Sequence, residues 1–200
     1  MNHEKRVVDA LAPLCEPLYD ALTEGRARAR ERHPEFVGEP GLGSVVTHVA
    51  RGLALYALRS RELGPWTLVP QNNAGIALSL DSYSIRVLHQ LPDKSAPPPG
   101  SNRVRRSFYG NGTLDPEMFP VSDKLLALWG DDEKGALMIR IVRPLGVWSF
   151  GARHKVDLDF VLPPMADDLE ALVYDTADDD IIITIPGEEG ETSVEHGVGS

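Results

Sequence analysis

The chain keeps its two hydrophobic periods apart, and that separation constrains its fold more than any other feature. Apolar residues recur at helical spacing up to about residue 62, and from Trp66 onward they alternate at strand spacing. A chain that interleaved the two periods would build βαβ units around a parallel sheet. Helices first and consecutive strands afterwards build an α+β domain whose strands pair mainly antiparallel. The sequence therefore predicts N-terminal helices packed on a mainly antiparallel β-sheet. One α+β domain is expected over 1–186, followed by a disordered acidic tail over 187–200, which carries four Gly, four Glu and almost nothing apolar. With 200 residues such a domain buries a real core without disulfides or metal.

Val7, Val8, Leu11 and Leu14 mark a first helix. Leu18, Ala21 and Leu22 mark a second one, starting at Pro17 and stopping before Pro34. A third helix is expected over 44–62, capped by Ser44. Its stripe is Val45, Val49, Leu53 and Tyr56, widened by Val46, Ala50, Ala54 and Ala57, so it should be central to the core. His48 on it reads best as a hydrogen-bonded core histidine. Strands follow at 66–70, 74–80 and 83–91, with a parity switch at Asp81-Ser82 that requires a tight turn or bulge. Residues 92–102 are Pro-rich and read as a surface loop. A hairpin joins Leu125–Trp129 to Ala136–Val142, and Val156–Leu162 is a half-buried strand. A short helix over Asp167–Tyr174 and a last strand over Ile181–Ile185 complete the domain.

Cys15 is the sole cysteine, which excludes an internal disulfide framework and a Cys-rich zinc site. It sits between Leu14 and Pro17 as a small buried apolar residue would. No run of about 18 apolar residues exists to span a membrane, and Met1–Arg6 leads into a charged, broken segment unlike a signal peptide. A soluble, cytoplasmic protein is expected. Arginine outnumbers lysine 15 to 5, which fits a GC-rich bacterial coding sequence.

The net charge of −10 is polarised. Residues 1–156 hold every Lys and Arg together with 17 acids, and residues 157–200 hold 13 acids and no cation. Such a segment acts as a solubilising tail, or as an interaction or autoinhibitory one.

The run Arg103-Val104-Arg105-Arg106-Ser107-Phe108-Tyr109 is the candidate for phosphate or nucleic-acid binding. Guanidinium groups match phosphate bidentately and aromatic rings stack on unpaired bases. The competing reading is a strand with Val104 and Phe108 (or Tyr109) inward and its arginines meeting carboxylates. Other motifs are weaker. Arg26, Arg28, Arg30 and Arg32 suit a solvated helix end, with Glu24 four residues before Arg28. Gly41-Leu42-Gly43-Ser44 lacks the third glycine and the preceding strand of a phosphate-binding turn. Asp123, Asp132 and Lys134 match a nuclease pattern, but two of them fall in a hairpin tip. His154 has the wrong strand parity to join Asp157 and Asp159 around a metal. Trp148, after Pro144 and Gly146, is the tryptophan expected to be partly exposed.

No metal or cofactor is expected. The reading is a non-catalytic bacterial binding or regulatory protein, such as a toxin–antitoxin-like or mobile-element partner, that binds another protein or nucleic acid. The alternative is an enzyme acting on a nucleotide or nucleic-acid phosphate. There Arg103, Arg105 and Arg106 would hold phosphate, and Asp81, Asp157 or His154 would supply acid–base or metal chemistry.

Overall fold

The computed structural model describes residues 3–111 and 123–169. The first helix, α1 (His3–Leu11), passes through a single 3-10 turn at Ala12–Leu14 into α2 (Cys15–Arg32). Pro13 in the turn and Pro17 in the first turn of α2 remove donors where a helix start would leave them unspent. Helix α3 (Gly43–Leu58) then packs along α2. Strands β1 (Thr67–Leu68), β2 (Ile76–Leu80), β3 (Tyr83–His89), β4 (Asp123–Asp131), β5 (Leu137–Pro144) and β6 (Val156–Leu162) form one sheet in chain order. Every neighbouring pair is antiparallel except β3 and β4, which run parallel from Tyr83↔Asp123 to His89↔Trp129. A parallel pair needs a crossover, and that crossover carries the short helix α4 (Arg103–Phe108). The α+β architecture with N-terminal helices and a mainly antiparallel sheet is the one the two segregated periods predict. The expected tail at 187–200, the last strand at 181–185 and most of the 167–174 helix lie outside the described residues; residues 166–169 are helical.

The sheet is buried on both faces. Ile85, Val87, Leu125, Ala127, Trp129, Ile139 and Ile141 face the helices in the main core. Leu126, Leu128 and Val142 face the other way, under Ala96, Tyr109 and Trp148. Two-sided burial is why Leu125–Trp129 is a continuous apolar run rather than an alternating one. Tyr19 ties helices to sheet: its hydroxyl donates to the Leu162 carbonyl at 2.7 Å and accepts from Ile139 N–H at 3.2 Å. Trp66 donates its indole N–H to the Ala10 carbonyl at 2.7 Å. At the start of β4 the buried Asp123 lies 2.9 Å from His3 Nε2 and 3.1 Å from Arg143 Nε. That pair clasps the chain's start to the sheet and places Asp123 at the opposite end of β4 from Asp132 and Lys134, which form the β4–β5 turn. The nuclease-like pattern is therefore not assembled.

Several expectations are corrected. Helix α3 starts at Gly43 behind Leu42, without a side-chain cap from Ser44. Its buried residues are Ala50, Ala54, Ala57 and Leu58. Of the Val45–Tyr56 stripe, Val49 and Leu53 only flank the core, half-buried, and Val45 and Tyr56 are exposed, Tyr56 to 67%. Alanines win the inner face because α2 approaches so closely there that larger side chains do not fit. His48 is accordingly exposed, not a core residue. Trp148 is buried, its ring centroid 5.0 Å from that of Tyr109. The 92–102 loop folds down over the sheet and buries Ala96.

Cys15 is fully buried, and that burial pushes its thiol up to about 11. Only the thiolate alkylates. At pH 8 iodoacetamide should therefore modify native protein at least ~100-fold more slowly than urea-unfolded protein. Equal rates, read by mass spectrometry, would show that Cys15 is accessible.

Candidate anion-binding cleft

The Arg103–Tyr109 run forms a helix, not a strand. Asn102 caps it, its Oδ1 accepting from Arg105 N–H at 3.1 Å. A helical turn scatters what a strand would have alternated. Val104, expected inward, is 68% exposed, and Tyr109 is the residue that is fully buried. Its hydroxyl donates to the Pro97 carbonyl at 2.8 Å. Burial pushes the phenol up to about 12, against the opposing pull of Arg105 and then Arg86. Tyr109 is thus an anchor that fixes α4 on the sheet.

That anchor sets Arg105 beside two arginines from distant parts of the chain. Arg105, Arg51 of α3 and Arg86 of β3 line one cleft of about 150 Å³, together with Gln71, Asn72, Asn73 and Tyr109. Arg86 lies over the Phe108 ring, 4.6 Å from its centroid. Arg51 donates to the Asn73 carbonyl and to His48 Nδ1, both at 3.0 Å, while its Nε is buried without a partner. The Asn73 carbonyl is presented by a turn in which Asn73 and Ala74 both have positive φ, 56° and 53°. Asparagine tolerates that geometry better than most residues.

The electrostatics of the three guanidinium groups differ from those of the ion-paired arginines. Arg26, Arg28, Arg30, Arg61, Arg140 and Arg143 each lie against a carboxylate. Among the described residues no carboxylate comes within ion-pair distance of Arg51, Arg86 or Arg105. Burial and then the charge of Arg105 hold both Arg51 and Arg86 below the usual arginine range. Arginine nevertheless stays protonated in proteins. The cleft therefore collects like charge that an anion would neutralise. Its fork-shaped donors fit the oxygens of phosphate or carboxylate.

Of the five residues singled out in the sequence, Arg105 and Tyr109 line this cleft and Phe108 supports Arg86 from beneath. Arg103 and Arg106 are exposed on the same short helix and are not part of its wall. Arg51 and Arg86 escaped sequence reasoning. A signal for them existed: each is the sole charged residue of an otherwise apolar or neutral element, GSVVTHVARGLALYAL and YSIRVLH.

The catalytic candidates stay apart from the cleft. Asp81 is exposed at the β2–β3 turn. Asp157 pairs with Arg143 at 3.0 Å and Asp159 with Arg140 at 2.9 Å, and His154 lies near the Trp148 ring. Among the described residues no group of three or more His, Cys, Asp or Glu is placed to hold a metal, and no helix is long and apolar enough to cross a membrane. No family model matches the chain, and neither a curated protein nor a solved structure does.

Proposed function

We propose that the protein is a non-catalytic binding protein that takes a single-stranded nucleic acid, seating a backbone phosphate between Arg51, Arg86 and Arg105. The observation that carries this reading is the set of three convergent guanidinium groups with no carboxylate partner among the described residues. The amide side chains of Gln71, Asn72 and Asn73 add donors and acceptors beside the phosphate. A cleft of about 150 Å³ is smaller than the roughly 300–1,000 Å³ typical of sites that enclose a whole cofactor. It suits one phosphate of a longer chain, and the exposed Arg103 and Arg106 extend the positive surface along α4. The net charge of −10 does not by itself oppose this, because salt screens charges separated by more than about 8–10 Å. The enzymatic alternative would require Asp81, His154, Asp157 or Asp159 to face the held phosphate, and none of them lines the cleft.

The test is fluorescence anisotropy of a labelled twelve-residue oligothymidylate titrated with the protein at several salt concentrations. Binding is expected, with log affinity falling linearly in log salt, at a slope of about −0.7 for the phosphate held in the cleft and steeper by about the same amount for each further phosphate met along α4. Absence of binding at 50 mM salt would overturn the reading, in favour of a protein partner. Cleavage of the oligonucleotide with Mg²⁺ present would overturn its non-catalytic part.

A further inference from the structure

A second cavity lies on the helix side of the sheet, at the far ends of β3 and β4. It measures about 260 Å³ and is walled by Phe36, Val46, Ala50 and Trp129, with Arg30 and Asp131 at its rim. We infer that this cavity is a binding site for a small monocarboxylate with an apolar body, an aromatic or branched acid of fragment size.

The chemistry follows from what is spent and unspent around it. Trp129 is 3% exposed and its indole Nε1–H has no partner. A buried donor left unmade is costly, so a ligand acceptor that meets it as the Trp129 ring adjusts gains more than at a wet surface. His89 meets the Trp129 ring edge-on at 4.6 Å. Burial is the largest influence on that imidazole and holds it below its ordinary range, with Asp131 opposing and Arg26 assisting. At neutral pH it thus adds a neutral ring rather than a charge. Asp131 bridges Arg26 and Arg30, the latter loosely at 3.6 Å. Two cations against one anion leave one positive charge at the rim. The Arg30 guanidinium, half exposed, keeps N–H groups unspent. Thr47 offers nothing further, since its hydroxyl is donated to the Gly43 carbonyl at 2.9 Å. Helix α3 also begins at this rim without a side-chain cap; the Val45 and Val46 N–H groups both donate to the Leu42 carbonyl, and Gly43 lies on the cavity wall where the positive end of the helix dipole favours an anion. The buried unspent group is a donor, the unbalanced charge is single and positive, and the walls are largely apolar. A neutral donor-rich ligand or a polyphosphate matches none of these.

This site shares no residue with the three-arginine cleft, so the two stand or fall separately. The experiment is a titration of ¹⁵N-labelled full-length protein with benzoate, following the three indole N–H signals, that of Trp129 being assigned with Trp129→Phe. A saturable shift of the Trp129 signal is expected, with Trp66 and Trp148 unmoved. Arg30→Ala should weaken benzoate about tenfold, the size of one charged hydrogen bond, and so should replacing benzoate by benzyl alcohol. Thr47→Trp, which fills the cavity from its exposed rim, should abolish the shift. The Arg51→Ala/Arg86→Ala/Arg105→Ala chain should bind benzoate as the unaltered protein does. No saturable shift, equal binding of benzyl alcohol, or loss of binding in that triple variant would each overturn the inference.

Discussion

Replacing Gly25 by alanine is expected to cost about 2–3 kcal/mol of stability and to lower the melting temperature by roughly 5–10 °C. Alanine is the better helix former by about 1 kcal/mol, so propensity alone would stabilise α2. Packing reverses the sign. A Cβ at Gly25 would stand 2.4 Å from the Ala50 carbonyl oxygen and 2.8 Å from the Ala54 backbone nitrogen. Both obstacles are backbone atoms of α3, so no rotamer change relieves them and the helices must separate along their contact. Valine at the same position should cost more. Because the obstacle is backbone, Ala54→Gly should restore little of the loss. A calorimetric scan decides it: a melting temperature unchanged or raised in Gly25→Ala would mean that α2 and α3 do not meet as closely as described.

The second large effect concerns binding. The triple variant Arg51→Ala/Arg86→Ala/Arg105→Ala should bind oligothymidylate about 100-fold more weakly at low salt, at roughly 1 kcal/mol or slightly more for each lost charged contact. It should also lose about 0.7 of the salt slope, the share of one phosphate. The pair Arg103→Ala/Arg106→Ala should lose less affinity, since neither residue lines the cleft. Stability should barely change in the triple variant, within about 1 kcal/mol, because the three cations repel one another and none balances a carboxylate. Arg143 is the contrast: its loss would leave the buried Asp123 without a cation at 3.1 Å. Binding that survives the triple substitution would place the nucleic acid elsewhere.

The fold was legible because local signals and tertiary demands agree. The stop before Pro34, the parity change at Asp81-Ser82 and the polar turn between Leu125–Trp129 and Ala136–Val142 each mark an element end that the structure keeps, whereas the third helix, expected to run to 62, ends at Leu58. Two kinds of information were not local. Which face of α3 is inner depends on Gly25, a residue of another helix, so periodicity favoured the bulkier Val45–Tyr56 stripe over the alanines that fit. The site was half legible for the same reason. Arg105 was conspicuous in a basic run, whereas Arg51 and Arg86 stand alone in sequence and meet it only through the packing of α3, β3 and α4. The cavity beside Trp129 left no motif at all, since its donors come from α2, β4 and the start of α3.

The most direct measurement is the ¹H–¹⁵N spectrum of the arginine Nε–H groups, recorded as unlabelled oligothymidylate is added. Seating of a phosphate in the cleft should shift Arg51, Arg86 and Arg105 together with one saturation curve. The buried, partnerless Nε of Arg51 should be among the most affected. Shifts confined to Arg103 and Arg106, or to Arg26 and Arg30, would contradict the assignment of the three-arginine cleft as the binding site.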